Sequence, residues 1–234
     1  MANSVDLTGT PVAVPGSYFI ETLGCPKNQV DSDKLEGTLI ADGMTAAESA
    51  DEADLIVVNT CAFIEEAREE SIHTILELDH NRSGDSKLVV TGCMAERYGD
   101  ELAEALPEAD QIAGFGVPVT IGSKPKAPLL DLLHLPRPPS RSPWAYVKIA
   151  EGCDRNCGFC AIPTFRGPQR SRTIEDICRE VDELDAKEIV LVAQDLAAFG
   201  RDQGKGERSI VPLVKAVAER VDWVRLLYLY PSDL

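Results

Sequence analysis

The fold of this chain is constrained most by an alternation of short apolar runs with amphipathic helical patterns. In the first half the apolar runs are rich in β-branched residues and predict buried strands at residues 17–23, 53–59 and 87–91. Helical spacing follows the first two, marked by Val30, Leu35, Leu39 and Ile40 up to Gly43, and then by Ile64, Ala67, Ile72, Ile75 and Leu76. A weaker strand is expected at residues 111–115. Strands that alternate with helices predict an α/β fold with a doubly wound parallel sheet.

Six prolines between residues 123 and 143 interrupt this alternation. Proline at this density breaks both helix and sheet, so residues 123–142 are predicted to link one domain at 17–122 to another at 143–234. The polar segment 1–16 is predicted to be a flexible N-terminus. In the second domain the alternation restarts, with strands expected at 145–150, 188–193 and 223–228 and helices at 174–184 and 210–220. Three strands leave an open parallel edge, so we expect a truncated chain in which a partial (βα) barrel is half encoded.

Three cysteines follow the first strand of the second domain at the spacing Cys153-x3-Cys157-x2-Cys160, and glycines flank them. Thiolates are the usual ligands of 4Fe-4S clusters, and three ligands on four irons leave one iron open to a small molecule. The alternative is zinc, because Cys157 and Cys160 alone form a CxxC knuckle. Zinc normally takes a second pair of ligands, but Cys178 stands alone on a predicted helix and the second domain contains no histidine. The pattern therefore favours an iron–sulfur cluster.

A second set of cysteines is spread through the first domain. Cys25, Cys61 and Cys93 each follow one of the three apolar strands. Because the carboxyl ends of parallel strands share one edge of a sheet, the three thiols are predicted to converge on one site. The alternative is three buried core cysteines, since a free thiol packs as a small apolar group. Cys178 belongs to neither set and is expected in the core.

Polar residues near the loop of Cys153, Cys157 and Cys160 are further candidates. Four arginines crowd the loop and the stretch after it: Arg155, Arg166, Arg170 and Arg172. Guanidinium groups suit carboxylates and offset the charge of a thiolate-ligated cluster, so Arg170 and Arg172 are candidate cofactor-binding residues, the alternative being a solvated helix start. Arg155 is expected on the surface. Gln194 and Asp195 end a predicted strand, where ligands gather in open α/β sheets, or they cap a helix.

The charge and the cysteine count limit the compartment and the partners. Residues 1–142 contain 10 Lys+Arg and 24 Asp+Glu, so −14 of the net charge of −16 lies in the first half. A surface this acidic attracts basic partners and repels phosphate backbones, although solubility alone would also explain it. The chain has seven cysteines, an odd number, and a reducing cytoplasm keeps thiols unpaired. We therefore expect a cytoplasmic protein without a disulfide framework. No apolar run approaches the roughly 20 residues of a membrane span, so no membrane association is expected.

The CxxxCxxC loop after the first strand of an α/β domain resembles the radical S-adenosylmethionine (SAM) family, as does the aromatic Phe159 before the last cysteine. The resemblance implies that the amino and carboxylate groups of SAM bind the open iron and that Phe159 lies beside the adenine. It also implies electron transfer that cleaves SAM to a 5′-deoxyadenosyl radical. This chemistry is the cofactor's, and the protein positions and tunes it.

Two tricysteine sets in this order resemble the methylthiotransferases, which hold an auxiliary 4Fe-4S cluster in an N-terminal domain. The phrases LGCPKNQVDSDKLEG, VVNTCAFIEEAREES, GCMAERY and EGCDRNCGFCAIP resemble the RimO-type branch, which modifies an aspartate of a small-subunit ribosomal protein. The branch that modifies tRNA adenosine usually has Cys-Gln-Met-Asn where this chain has Cys25-Pro26-Lys27-Asn28.

The resemblance implies two 4Fe-4S clusters, SAM, an external electron donor and transfer of a methylthio group to the aspartate β-carbon. In that chemistry one SAM methylates a sulfur of the auxiliary cluster and a second removes hydrogen from the substrate. The alternatives are a tRNA adenosine methylthiotransferase and an inactive iron–sulfur-binding fragment. The chain departs from the family where Leu196 and Ala197 replace threonines, and it lacks the second half of the barrel and a C-terminal β-barrel domain.

Overall fold

The first domain is built on a five-stranded parallel sheet. The computed structural model describes residues 16–117, 131–204 and 209–230. The strands are β1 (Ser17–Thr22), β2 (Thr45–Ala46), β3 (Leu55–Thr60), β4 (Lys87–Gly92) and β5 (Gln111–Ala113), in the spatial order β2-β1-β3-β4-β5. All six residues of the central strand β3 are buried, as the unbroken apolar run predicts for a strand covered on both faces.

Helices cover both faces of this sheet. They are α1 (Pro26–Ala41), α2 (Glu65–Asn81) and α3 (Cys93–Ala105), which is kinked at Gly99. Leu35 of α1 packs with Leu55 on one face, whereas Ile75 of α2 packs with Ile56 on the other. The order of the strands reverses at the β1–β3 pair, which is the arrangement of a doubly wound fold. The predicted fold class is therefore confirmed.

The predicted apolar face of α2 is wrong in part. Ile75 is fully buried, but Ile64, Ile72 and Leu76 are 51%, 38% and 41% exposed. Ser71 is buried instead, because its hydroxyl is held by the carbonyls of Cys61 and Ala67. The buried stripe of α2 is narrower than the spacing of its apolar residues suggests.

The second domain has a three-stranded parallel sheet, formed by β6 (Trp144–Lys148), β9 (Glu188–Val192) and β10 (Trp223–Leu226) in the order β10-β9-β6. A two-stranded antiparallel pair lies beside it, formed by β7 (Ala150–Glu151) and β8 (Arg170–Ser171). The helices are α4 (Ile162–Arg166), α5 (Ile174–Leu184) and α6 (Ile210–Ala218). Thr173 caps α5 by accepting a hydrogen bond from the amide of Asp176. Cys178 of α5 is buried, as expected.

Helix α1 is buried between the two domains. Its Val30 packs with Val190 and Val192 of the second sheet. On the same side its Lys34 side chain is fully buried and forms an ion pair with Glu180 of α5. Paired charges therefore fill much of the contact between the domains.

The Pro-rich segment is ordered in its second part. In the described stretch 131–142 the structure has no helix or strand, and Arg137 is buried between Asp33 and Glu180. Residues 1–15 of the predicted N-terminus, 118–122 of the predicted first domain and 123–130 of the predicted linker lie outside the described residues, so the proposed boundaries at 122 and 143 stay predictions. None of the helices in the described part of the chain has the length and apolar character of a membrane crossing.

Candidate functional site

The three cysteines of the first domain lie at one edge of its sheet, and we call them the first cysteine site. Cys25 precedes α1, Cys61 follows β3, and Cys93 begins α3 directly after β4. The strands β1, β3 and β4 are adjacent and parallel, so their carboxyl ends bring the three residues to the same place.

The loops of the first cysteine site are held in close contact. Gly24 has φ +90°, and a Cβ added there would lie 2.7 Å from Cβ of Cys61 and 2.9 Å from its sulfur. The side-chain amide of Asn28 donates to the carbonyls of Leu23 and Thr60, each at 2.9 Å. A glycine is therefore required beside Cys25, and one asparagine joins the strand ends.

The thiols of this site interact electrostatically. Burial raises the pKa of the Cys93 thiol, the guanidinium of Arg166 lowers it, and charges on Cys25 and Cys61 raise it again. Burial lowers the pKa of Lys27, whose ammonium lies 3.6 Å from the centre of the Tyr228 ring. Two cations therefore lie beside three thiols, which suits a site that carries negative charge.

The second cysteine site is the loop that contains Cys153, Cys157 and Cys160, which follows β7. Gly152 has φ +81°, and a Cβ there would lie 2.1 Å from the Pro168 carbonyl oxygen, so the loop is closed tightly at its base. The Cys153 amide donates to the Gly167 carbonyl at 3.0 Å. Burial raises the pKa of Cys153, and the neighbouring charges of Asp195 and the other two cysteines add to the rise. Phe159, near the end of the loop, is 88% exposed.

A cavity of about 610 Å³ opens beside this loop. It is lined by Cys157, Arg155, Gln169, Asp195 and Tyr230, among others. One buried side-chain oxygen of Gln169 and one of Asp195 have no hydrogen-bond partner in the described structure. Buried acceptors without donors are rare in proteins, so these atoms fit a ligand that brings N–H or O–H groups.

Arg155, expected on the surface, is half-buried and lines this cavity. Its guanidinium forms an ion pair with Asp195, and it lies 3.8 Å from the centre of the Tyr230 ring. Gln194, next to Asp195, donates to Glu151 at 2.6 Å. The end of β9 is thus connected both to the cysteine loop and to the strand that precedes it.

The two predicted cofactor arginines make their contacts elsewhere. Arg170 is exposed and forms an ion pair with Asp131. Arg172 is buried and donates to the Lys148 and Asp176 carbonyls and to Glu180. These partners are not cysteines of either site, and the cofactor role of both arginines stays a prediction.

Sequence reasoning placed Arg166 near the Cys153 loop but missed its contacts between the two sites. Arg166 donates to the Cys93 sulfur at 3.1 Å and to both carboxylate oxygens of Glu151 at 2.9 Å. Lys148 and Asp31 complete this buried group of charges. No local pattern marks these contacts, because Arg166 and Cys93 are 73 residues apart.

Both sites have the donor chemistry of an iron–sulfur cluster. All six cysteines are free thiols, and each triplet lies on one loop or one sheet edge. Within the described ranges, no three Cys, His, Asp or Glu side chains are gathered as a single metal ion requires. Three thiolates are the usual protein ligands for a 4Fe-4S cluster that keeps one iron open. The residues present fit clusters at both sites.

The fold and the two cysteine sites define a two-domain α/β protein of the radical SAM type. Residues 147–206 match the radical SAM superfamily, and residues 17–114 match the uncharacterized protein family UPF0004. The chain is similar to proteins named ribosomal protein uS12 methylthiotransferase RimO. Examples are those of Myxococcus xanthus (46% identity over 93% of this chain and 49% of the relative), Anaeromyxobacter sp. (44%, 92% and 50%) and Acetivibrio thermocellus (40%, 92% and 53%).

These similarities confirm the resemblance to the N-terminal portion of RimO-type radical SAM methylthiotransferases. The chain spans about half the length of the curated relatives it matches. A solved structure of the cobalamin-dependent SAM radical enzyme OxsB aligns at a TM-score of 0.47 and 11% identity, over 87% of this chain and 36% of that chain.

Proposed function

We propose that this chain carries the two cluster sites of a radical SAM methylthiotransferase that adds a methylthio group to the β-carbon of an aspartate in ribosomal protein uS12. The observation that carries the proposal is the pair of tricysteine sites, which one buried side chain, Arg166, joins through Cys93 and Glu151. A reaction that needs both a sulfur source and a radical calls for two such sites close together. The names of the relatives supply the substrate.

The second cysteine site is proposed to hold a 4Fe-4S cluster and SAM. Three thiolates leave one iron free for the amino and carboxylate groups of SAM, and the bound pair supplies one-electron cleavage of the S–C bond of SAM. The unpartnered oxygens of Gln169 and Asp195 would accept from the donors of SAM in the adjoining cavity. The exposed ring of Phe159 would stack on the adenine.

The first cysteine site is proposed to hold the auxiliary 4Fe-4S cluster. Cys25, Cys61 and Cys93 would ligate it, and the cations of Lys27 and Arg166 would offset its charge. Tyr228 of the second domain lies against Lys27 at this site. The net charge of −14 on residues 1–142 supports a basic protein as the substrate and disfavours tRNA. An external electron donor and a cytoplasmic location belong to the same proposal.

Iron analysis tests the two sites separately. The anaerobically reconstituted chain should bind about eight irons, and Cys153→Ala should remove about half of them. Cys178→Ala is the matched control, because this buried thiol lies on α5 outside both sites, and its iron content should equal that of the parent. A single bound zinc would contradict the cluster assignment.

Activity and substrate need two further measurements. The reconstituted chain should reductively cleave SAM to 5′-deoxyadenosine, and a chain that binds clusters but forms no product is a cluster-binding module only. Mass spectrometry of uS12 and tRNA from a strain lacking the gene should show a missing methylthio group on the uS12 aspartate. Loss from tRNA alone would show that the adenosine branch is correct.

A further inference from the structure

Arg166 is placed to act on the first cysteine site although it belongs to the second domain. It is the last residue of α4, and its side chain is 3% exposed. Its guanidinium donates to Cys93 Sγ at 3.1 Å, to Asn28 Oδ1 at 2.9 Å, and to both oxygens of Glu151 at 2.9 Å. A weaker contact with Asp31 is 3.4 Å long. One side chain thus contacts both domains.

The orientation of this guanidinium is fixed by its surroundings. The Phe115 ring lies 4.4 Å from its central carbon, so one face of the group is covered. Nη1 donates to both carboxylate oxygens of Glu151, whereas Nη2 donates to Asn28 and Cys93, so the two terminal nitrogens have different partners. Arginine keeps its charge at any physiological pH and presents donors in a rigid plane, which lysine cannot reproduce.

The position of Glu151 connects Arg166 to the second site. Glu151 ends β7 and directly precedes Gly152 and Cys153, the start of the cysteine loop. It is held from the other side by Lys148, which is fully buried and also pairs with Asp31 of α1. Two cations and two carboxylates therefore balance one another. Among the contacts that Arg166 makes with residues 16–117, 131–204 and 209–230, the one sulfur is that of Cys93.

We propose that Arg166 is a positioning residue that raises the reduction potential of the cluster at Cys25, Cys61 and Cys93 and fixes that cluster relative to the Cys153 loop. The inference rests on the proposed function, since it requires a cluster at the first site. Reduction adds one electron and hence one negative charge to the cluster. A hydrogen bond and a buried cation at a ligand sulfur favour the more negative form, so they make the cluster easier to reduce.

The experiment isolates the first site in the full chain. Cys153, Cys157 and Cys160 are all changed to Ala, so that about four irons remain, bound at the first site. Dithionite supplies the electron, and the reduced cluster is followed by electron paramagnetic resonance in a redox titration. Arg166→Gln in this background should lower the ratio of reduced to oxidised cluster at a fixed potential about tenfold, equivalent to about 59 mV for one electron.

Two variants make the result specific. Arg179→Gln removes an exposed arginine of α5 and should leave the midpoint potential unchanged. Arg166→Lys keeps the charge but loses the planar set of donors, and it should give a smaller shift in the same direction, with a changed line shape. This variant decides the question if Arg166→Gln fails to fold by circular dichroism.

The outcomes separate the two proposals. A shift for Arg166→Gln or Arg166→Lys, with none for Arg179→Gln, supports the role of Arg166. Parental potentials in folded Arg166 variants that still hold about four irons would overturn it, while the cluster assignment stands. A triple-alanine parent that binds no iron would overturn the first cluster site itself, and with it the inference.

Discussion

Replacing Glu180 by Gln should destabilise the contact between the two domains more than any surface change. The side chain of Glu180 is 9% exposed and forms ion pairs with Arg172, with Arg137 at 2.8 Å and with Lys34 at 3.4 Å. Burial opposes its ionisation, but these three cations outweigh burial and keep the pKa of Glu180 below its ordinary value. The carboxylate is therefore charged in the folded protein.

The size of the effect follows from the charges left behind. Glu180→Gln removes the carboxylate that three buried cations share. Of the three, Arg137 alone keeps an ion pair with Asp33. Removing one partner of a buried ion pair typically costs about 3–5 kcal/mol. We expect a loss of this order, at the upper end because several cations share the one carboxylate.

Urea unfolding followed by circular dichroism measures this loss. With a slope of about 2 kcal/mol per molar urea, the midpoint should fall by about 2 M. Glu183→Gln is the matched control, because Glu183 lies on the exposed side of the same helix α5 and should shift the midpoint little. Iron content should be equal in all three proteins, since Glu180 contacts neither cysteine site.

The reasoning would be refuted if the free energies of unfolding of the Glu180→Gln and Glu183→Gln proteins differed by less than about 1 kcal/mol. It would mean that water reaches the ion pairs and screens them, and that apolar contacts alone hold α1 against the second domain. The packing of Val30 against Val190 and Val192 would then provide most of the stability of the interface.

Three further predictions follow from packing and charge. Gly24→Ala places a Cβ against the first cysteine site at φ +90° and should release about four irons, whereas Gly84→Ala, with open space around it, should release none. Ile75→Ala should lower the free energy of unfolding in urea by about 2–5 kcal/mol, because the side chain is fully buried. Ile72 is 38% exposed, so Ile72→Ala should lower it by less than about 0.5 kcal/mol. Equal losses would contradict the assignment of Ile75 to the buried face of α2 and Ile72 to the exposed one. Burial lowers the pKa of Lys34 to about 8, because the charge of Glu180, which raises it, is opposed by the nearby cations Arg172, Lys148 and Arg137. Between pH 8 and about 10.4 the unfolded chain therefore binds more protons than the folded chain. Across that range the free energy of unfolding should rise by up to about 3 kcal/mol more in the parent than in Lys34→Met. Parallel plots of unfolding free energy against pH would show that Lys34 does not titrate there.

The sequence by itself determined the longer strands, most of the longer helices and the grouping of six cysteines into two sets. Helix α5 spans residues 174–184 as predicted, and the apolar runs at 53–59 and 188–193 form central strands, because short β-branched runs and capped amphipathic runs are local signals. Cys25, Cys61 and Cys93 could be placed together before the structure, since the topology of a parallel sheet brings strand ends to one edge.

Only the tertiary structure decided how the two domains meet and what surrounds the cysteines. The polar side of α1 is expected in solvent, yet Asp31 and Lys34 are buried because their partners Lys148 and Glu180 come from the second domain. The same applies to Arg166, which lies beside the second cysteine loop in sequence but contacts Cys93 of the first site. The hydropathy pattern of a helix shows which of its faces packs against the sheet of its own domain. It carries no information on charges that become buried when a distant element supplies the opposite charge.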